Sequence, residues 1–335
     1  LKVDLIGGWG YNNLGDEAIL AGYIELLSDV SEVSVASVDV ARTAHAQRPG
    51  IRVRPEGRPS RGDAAILCGG GYLNGSWVPE IFGKLRRQRR DMGSAPVRVV
   101  SSVEVRGMAS GRRARLLRNT LSGSAVSVRD VQSQQELRRL GIESEVMPDA
   151  IALLWPYLDR YQTPVPEARG KVLINLLDIG RRPDAGESEV DPTEFIRLAD
   201  ELIDSLGDRA VGLVIGDGDL AFMRRYRHLQ LATPRSVTDL VSLIGEADAV
   251  LSVRMHPGLI ASAMGTPVVA IPYCGKVRPT LQRIGVADSI LVELDRSRVD
   301  RQLRTVVDRS ARWREAHNLK KDWLLARLGM APSAS

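Results

Sequence analysis

Ser252–Lys276 reads SVRMHPGLIASAMGTPVVAIPYCGK. An apolar run, Ala249–Val253, leads into it and delivers Arg254 and His256 to a strand end. Pro257 follows, then a short run of small residues, Gly265, and a second apolar run at Val268–Ile271. Proline suits a first helical position, where its missing N–H has no partner to lose, and glycine suits the place just past a helix end. The stretch therefore reads as strand, charged corner, short helix, strand. A guanidinium and an imidazole beside the free N–H groups and dipole of a helix N-terminus suit a phosphate or carboxylate. The plainer reading of the corner is a surface ion pair and a cap.

The same alternation continues toward the N-terminus. Val172–Asn175 is strand-like, followed by helix Thr193–Leu206, strand Val211–Ile215, helix Leu220–Tyr226 and helix Val237–Gly245. Asp217 and Asp219 stand in a further strand-end corner after Gly216. Tyr157–Gly170, with two prolines and mixed polar residues, reads as a linker. Before it, Lys2–Ile6 runs into Gly-Gly-Trp-Gly and then an amphipathic helix, Glu17–Leu27, the opening βα unit of a doubly wound domain. Short strands follow at Val33–Val38, Ala64–Leu67, Val97–Ser101, Ala125–Ser127 and Ser144–Met147, with a helix at Gln134–Leu140. Strands alternating with helices on both sides of a linker mean two α/β domains with mostly parallel sheets. The expected division is 1–156, a linker 157–170, a second domain 171–297, a helical segment 298–329 and a tail 330–335. That long, charged helical segment (Arg298–Leu328) is expected to pack back across the first domain.

The corners carry the chemistry, because ligands of such sheets sit outside the carboxyl ends of the strands. Asn12, Asn13, Asp16 and Glu17 crowd the first turn. They either cap the helix or accept sugar hydroxyls and supply a general base. The spacing there is not G-x-G-x-x-G, which excludes a dinucleotide reading. Gly69–Gly71, after a strand, permit close backbone approach to a ligand. Arg129 again sits just past a strand.

At 335 residues, with 44% hydrophobic and 26% charged residues, the composition is that of an ordinary globular protein of about two domains. No apolar run approaches the ~20 residues that span a bilayer. The N-terminus shows no basic n-region or cleavage site, and the two cysteines, Cys68 and Cys274, lack metal-type spacing. The expected setting is cytoplasmic, without a zinc site or disulfide. Net charge is +5, with dense arginine at Lys84–Arg90 and Arg106–Arg118. Such runs are solvated faces, or they attract an anionic partner such as a phosphorylated ligand or the inner membrane surface. Aromatics at 4%, not interleaved with the basic residues, argue against nucleic acid.

Taken in order, five stretches resemble the polysaccharide pyruvyl transferase family: Gly8–Ala18 (GWGYNNLGDEA), Gly69–Gly71, Ser127–Asp130 (SVRD), Val253–His256 (VRMH), and Gly265–Val269 (GTPVV) with Lys276-Val277. The resemblance runs from about residue 3 to residue 290. It implies a GT-B-like architecture, two Rossmann-like domains facing across a cleft. It also implies transfer of the pyruvyl group of phosphoenolpyruvate to a sugar diol, forming a cyclic ketal and releasing phosphate. By the resemblance, Arg129, Arg254 and His256 bind the donor phosphate and carboxylate, with Lys276 nearby. Asp16 and Glu17 face the acceptor, along with Asn12, Asn13, Gly70 and Gly71. Asp16, Glu17 and His256 are the expected catalytic groups, and phosphoenolpyruvate is a substrate, with no cofactor or metal required. The chain departs from the family pattern at Cys274-Gly275, where an acid and a proline are frequent, and at Asp149-Ala150, where Asp-Pro is frequent. Two alternatives share the fold: a nucleotide-sugar glycosyltransferase, and a non-catalytic protein that senses an anionic metabolite. For the former, Glu246 and Asp248 are the nearest acids for a ribose and look structural.

Overall fold

The computed structural model describes residues 1–29, 31–75, 80–181, 190–273, 277–284, 286, 289–290 and 295–330. Lys276 and the Cys274-Gly275 departure lie outside the described residues. Two compact units emerge. The first comprises Leu1–Tyr11, Asp16–Tyr157 and the chain from Arg314 onward; the second comprises Asn12–Gly15 and Leu158–Trp313.

In the first unit the strands are β1 (Lys2–Ile6), β2 (Glu32–Ser37), β3 (Arg52–Pro55), β4 (Ala64–Leu67), β5 (Gly70–Asn74), β6 (Val97–Arg106), β7 (Ala125–Val128) and β8 (Glu145–Val146). The helices among them are α1 (Leu14–Leu27), α2 (Val40–Ala46), α3 (Glu80–Met92), α4 (Gly111–Leu121) and α5 (Val131–Arg139). The strands pair in the order β3-β2-β1-β4-β6-β7-β8, with β5 also on β6. Each pairing is parallel, as in β1 on β4, where Val3–Ile6 lie opposite Ala64–Leu67. Ala64–Leu67 are all buried because helices cover both faces of a parallel sheet, which is why such strands read as continuous apolar runs.

The second unit has β9 (Val172–Asn175), β10 (Ala210–Leu213), β11 (Gln230–Ala232), β12 (Ala249–Ser252) and β13 (Val268–Ala270), ordered β11-β10-β9-β12-β13 and parallel. Its helices are α6 (Pro192–Leu206), α7 (Asp217–Met223), α8 (Val237–Glu246), α9 (Met255–Met264), α10 (Val277–Arg283) and α11 (Arg296–Gln302). The last helix, α12 (Ser310–Arg327), closes the chain. Both sheets are Rossmann-like: the winding reverses beside the first strand, between β1 and β4 and between β9 and β12. The parallel α/β class expected from the alternation is the one observed.

Local departures have local causes. β6 does not end at Ser101. Ser102 takes a positive φ of 56°, the register with β7 shifts between Val100 and Val103, and pairing then resumes to Arg106. This is a bulge, with the Ser102 N–H bonded to Ser127 Oγ (3.0 Å) instead of to the ladder. α9 starts at Met255, so Pro257 is its third residue and not its first. The expected helix Arg298–Leu328 is broken into α11 and α12 across Thr305-Val306-Val307, a β-branched run that favours extended backbone. In the expected linker the chain forms short 3-10 turns at Trp155–Tyr161 and Pro166–Ala168. Within the first unit α12 docks through Lys320 Nζ on Ser101 and Ser102 Oγ (2.6 Å each), His317 Nδ1 on the Ala152 carbonyl (3.1 Å) and Trp323 Nε1 on Glu145 (2.8 Å).

Candidate functional site

In the second unit the winding reverses between β9 and β12, and each ends in a polar residue, Asn175 and Ser252. Asn175 is fully buried. Its Oδ1 accepts from the Arg254 backbone N–H (3.1 Å), and its Nδ2 donates to the Leu213 carbonyl (2.9 Å) and to Asp219 Oδ2 (3.0 Å). Asp219, also fully buried, sits in the first turn of α7. Its Oδ2 accepts from the Ile215 N–H (3.0 Å), and its Oδ1 accepts from Arg254 Nε. A buried carboxylate and a buried amide thus fix Arg254 at both backbone and side chain, while its guanidinium stays one-fifth exposed. Methyl groups built on Gly216 and Gly218 would come within 3.0 and 3.6 Å of Arg254 Nη2, so these glycines leave that edge uncovered by side chains. Arg254 is the N-cap residue of α9 and gives it no side-chain cap, which leaves the helix N-terminus to other acceptors.

Asn12–Gly15 belongs to the same unit. Asn13 forms a bridge with Gly216, the Leu14 N–H donates to the Ile215 carbonyl (3.1 Å), and Asn12 Nδ2 donates to Asp217 Oδ1 (2.5 Å). Those bonds start α1 at Leu14, three residues ahead of the expected Glu17. Gly15 has no room for a side chain, since a methyl group there would lie 2.6 Å from Nδ1 of the buried His256. Asn12, Asn13, Arg254 and His256, dispersed in sequence, are therefore brought together in this unit.

The other expected residues belong to the first unit. Asp16 lies beyond the ends of β1 and β4, near Gly8 and Gly70: methyl groups built on those glycines would stand 3.5 Å from Asp16 Oδ2 and 3.8 Å from Oδ1. Gly70 opens β5 with φ of 140°, a conformation natural only to glycine, and Gly71 follows it in the strand. Glu17 is buried, and its carboxylate accepts from the Gly10 N–H (2.9 Å), Thr43 Oγ1 (3.1 Å) and Gln47 Nε2 (2.9 Å). Burial raises its pKa against those hydrogen bonds. Glu17 thus ties the turn to α2. Arg129 is 2% exposed and clamped between two buried carboxylates, Glu104 and, at 3.0 Å, Asp149. These anions raise its pKa still further, against the effect of its burial.

Three participants were not picked out from the sequence. Asn175 was marked only by a polar residue ending an apolar run. Asp219 was visible at its corner but carried no role. Lys84 sat in the basic run KLRRQRR, yet Ile81, Lys84, Leu85, Gln88 and Met92 of α3 share a buried helical face. Its ammonium lies 4.3 Å from the Tyr11 ring centroid and 4.4 Å from that of Tyr72, within cation–π range. Burial pushes its pKa down to about 8, partly offset by Asp16 and Glu56.

Solved structures share this fold over nearly the whole chain. A putative UDP-N-acetylglucosamine 2-epimerase from Listeria monocytogenes matches with a TM-score of 0.58 at 11% identity, over 98% of this chain and 96% of that one. The UDP-GlcNAc 2-epimerase from Methanocaldococcus jannaschii, in complex with UDP-GlcNAc and UDP, matches at 0.57 and 12%, over 94% and 98%. An alpha-glucosyltransferase in complex with UDP and DNA matches at 0.54 and 10%, over 97% and 95%. At such identities the likeness establishes the GT-B-like fold class alone. No curated protein sequence matches. The sequence model for polysaccharide pyruvyl transferase, however, matches residues 13–275. That span covers most of the chain and takes in the Asn12–Gly15 turn from Asn13 onward, Arg129 and the Arg254 corner, and it makes the chain a member of the polysaccharide pyruvyl transferase family.

Proposed function

We propose that the protein transfers the pyruvyl group of phosphoenolpyruvate to a diol of a sugar-containing acceptor, glycan, lipid-linked or small, forming a cyclic ketal and releasing phosphate. The observation that carries this reading is Arg254, fixed by Asp219 and Asn175 with one guanidinium edge left clear, beside an uncapped helix N-terminus and His256. The donor has phosphate and carboxylate oxygens, which suit a guanidinium fork and helix N–H groups.

Protonation of the donor methylene carbon makes C2 electrophilic. One acceptor hydroxyl attacks C2 and loses its proton to a base; the C–O bond to phosphate then breaks, and the second hydroxyl closes the ketal. Arg254 and the α9 N-terminus stabilise the departing phosphate. His256 serves as an acid or electrostatic group there. Asp16 takes the hydroxyl proton, and Glu17 holds the turn that carries it. Asn12 and Asn13 shape the donor side, Gly70 and Gly71 admit the acceptor, and Lys276 adds donor charge. Arg129 serves by pinning Glu104 and Asp149. The route needs no metal or cofactor.

The nucleotide-sugar alternative gains no residue here, because Glu246 is held by Arg169 (2.6 Å) and Asp248 by Arg209 (3.2 Å). No helix among the described residues is long and apolar enough to cross a membrane. Exposed Arg86, Arg89 and Arg90 on α3 and Arg112, Arg115 and Arg118 on the neighbouring α4 support contact with an anionic surface such as lipid headgroups.

Calorimetry with phosphoenolpyruvate tests the donor grip. Arg254→Ala is expected to weaken binding by about 2–5 kcal/mol, because Asp219 is left buried without its cation. Unchanged affinity would sink the donor assignment. Acceptor-dependent phosphate release across a sugar panel supports pyruvyl transfer, whereas nucleotide release from nucleotide sugars supports the alternative.

A further inference from the structure

Lys84 is 9% exposed, an unusual position for a lysine, and its N–H groups meet no hydrogen-bond acceptor among the described residues. Two tyrosine ring faces hold it instead. Close by, Gly8 leaves a space that a side chain would occupy. A methyl group there would lie 3.2 Å from Tyr72 Cδ1, 3.5 Å from Asp16 Oδ2 and 3.8 Å from Lys84 Nζ. The space lies just past the end of β1, beside the strand at which the winding of the first unit reverses, where ligands of doubly wound sheets bind.

The chemistry around that space selects its occupant. Asp16 offers acceptor oxygens and Lys84 offers donors, about one ligand atom apart. An anion would be repelled by Asp16 and a cation by Lys84. An apolar group would leave both unsatisfied, at the cost of their desolvation. A hydroxyl is both donor and acceptor and satisfies the pair at once. Tyr11, 46% exposed, and Tyr72 add aromatic surface against which the C–H face of a sugar ring can pack.

We propose that Lys84 and Asp16, walled by Tyr11 and Tyr72 over Gly8, form the subsite that holds a hydroxyl of the acceptor sugar. The inference rests on the reading that the acceptor is a sugar diol. It adds a role for Lys84: its ammonium donates to the hydroxyl oxygen while the O–H donates to the Asp16 carboxylate. When that oxygen attacks, the proton passes to Asp16 and the lysine keeps its charge.

Saturation-transfer NMR with methyl β-D-galactopyranoside and methyl β-D-mannopyranoside as probes tests the subsite, with phosphoenolpyruvate calorimetry run in parallel on each protein. The wild-type protein is expected to bind at least one glycoside. Lys84→Met and Gly8→Ala should each weaken that binding tenfold or more while phosphoenolpyruvate affinity stays within twofold, which also shows that the variants fold. Lys84→Arg, which keeps donors at the site, should restore part of the loss. Glycoside binding that is indifferent to Lys84→Met and Gly8→Ala overturns the subsite, as does a wild-type protein that binds neither glycoside. A wild-type protein that binds a glycoside through Lys84 but takes no phosphoenolpyruvate overturns the donor reading and leaves the subsite standing.

Discussion

Arg129 and Arg254 look alike in sequence, each a lone arginine just past an apolar strand, yet their surroundings give them different work. Arg254 shares one buried carboxylate and keeps an exposed edge. Arg129 is sealed between Glu104 and Asp149, both buried. Removing one member of a buried ion cluster leaves the others desolvated without a counter-charge, which typically costs about 3–5 kcal/mol. Arg129→Ala should therefore lower the unfolding free energy of the first unit by that order, read by chemical denaturation. A variant as stable as the wild-type protein but deficient in donor affinity would place Arg129 on the donor instead. Burial of the partners was not legible locally, since Glu104 and Asp149 come from other parts of the chain and meet Arg129 only in the folded sheet.

At the scale of elements, most of the second unit was legible, because its strands are short apolar runs and its helices carry their own signals. Asp191 caps α6 through the Thr193 and Glu194 N–H groups, and Ser236 and Asp239 form a capping box on α8. Gly265 closes α9 with φ of 78°, and a methyl group there would meet nothing within 4 Å. Gly265→Ala thus isolates the backbone cost of a left-handed residue, and a stability loss of about 1–2 kcal/mol is expected in denaturant unfolding. A neutral substitution would mean that α9 ends differently. Elements that depend on distant pairing were hidden. β5 lies in a glycine-rich stretch with no apolar run, and β6 continues past Ser102 only because Ser127 and the Pro148 carbonyl take up the bulge's hydrogen bonds. α3 was hidden by its arginines, although its buried face repeats with helical period.

At the scale of the molecule, the chain from Arg314 onward belongs with the first unit, and Lys320 carries a pH signature of that docking. It is fully buried against Ser101 and Ser102, and burial pushes its pKa down to about 7, opposed by Asp149 and Cys68. An unfolded lysine titrates near 10.4, so between about pH 7 and 10.4 the unfolded chain binds more protons than the native one. Stability from this group therefore rises with pH through that window and is lowest below it, where the native state must bury a charged ammonium. Lys84, lowered to about 8, acts in the same direction. Lys320→Met should raise unfolding stability near pH 6 relative to the wild-type protein and flatten its rise toward pH 9, measured by denaturation at the two pH values. An unchanged slope would show that Lys320 does not titrate in this range.

The sequence by itself determined the alternation of strands and helices, the strand-end corners and the family. These depend on neighbours along the chain: apolar runs, caps, glycines and short motifs. The tertiary structure alone decided which corner residues work together and which are consumed by the fold. It drew Asn12–Gly15 into the unit of Arg254 and His256, gave Arg254 its Asp219 and Asn175 supports, buried Arg129 and Glu17 among their partners, and set Lys84 between two tyrosines beside Asp16. The physical reason is that burial and electrostatic pairing depend on distance in space. The local composition of KLRRQRR, which looks like a solvated face, says nothing of the rings that await its lysine.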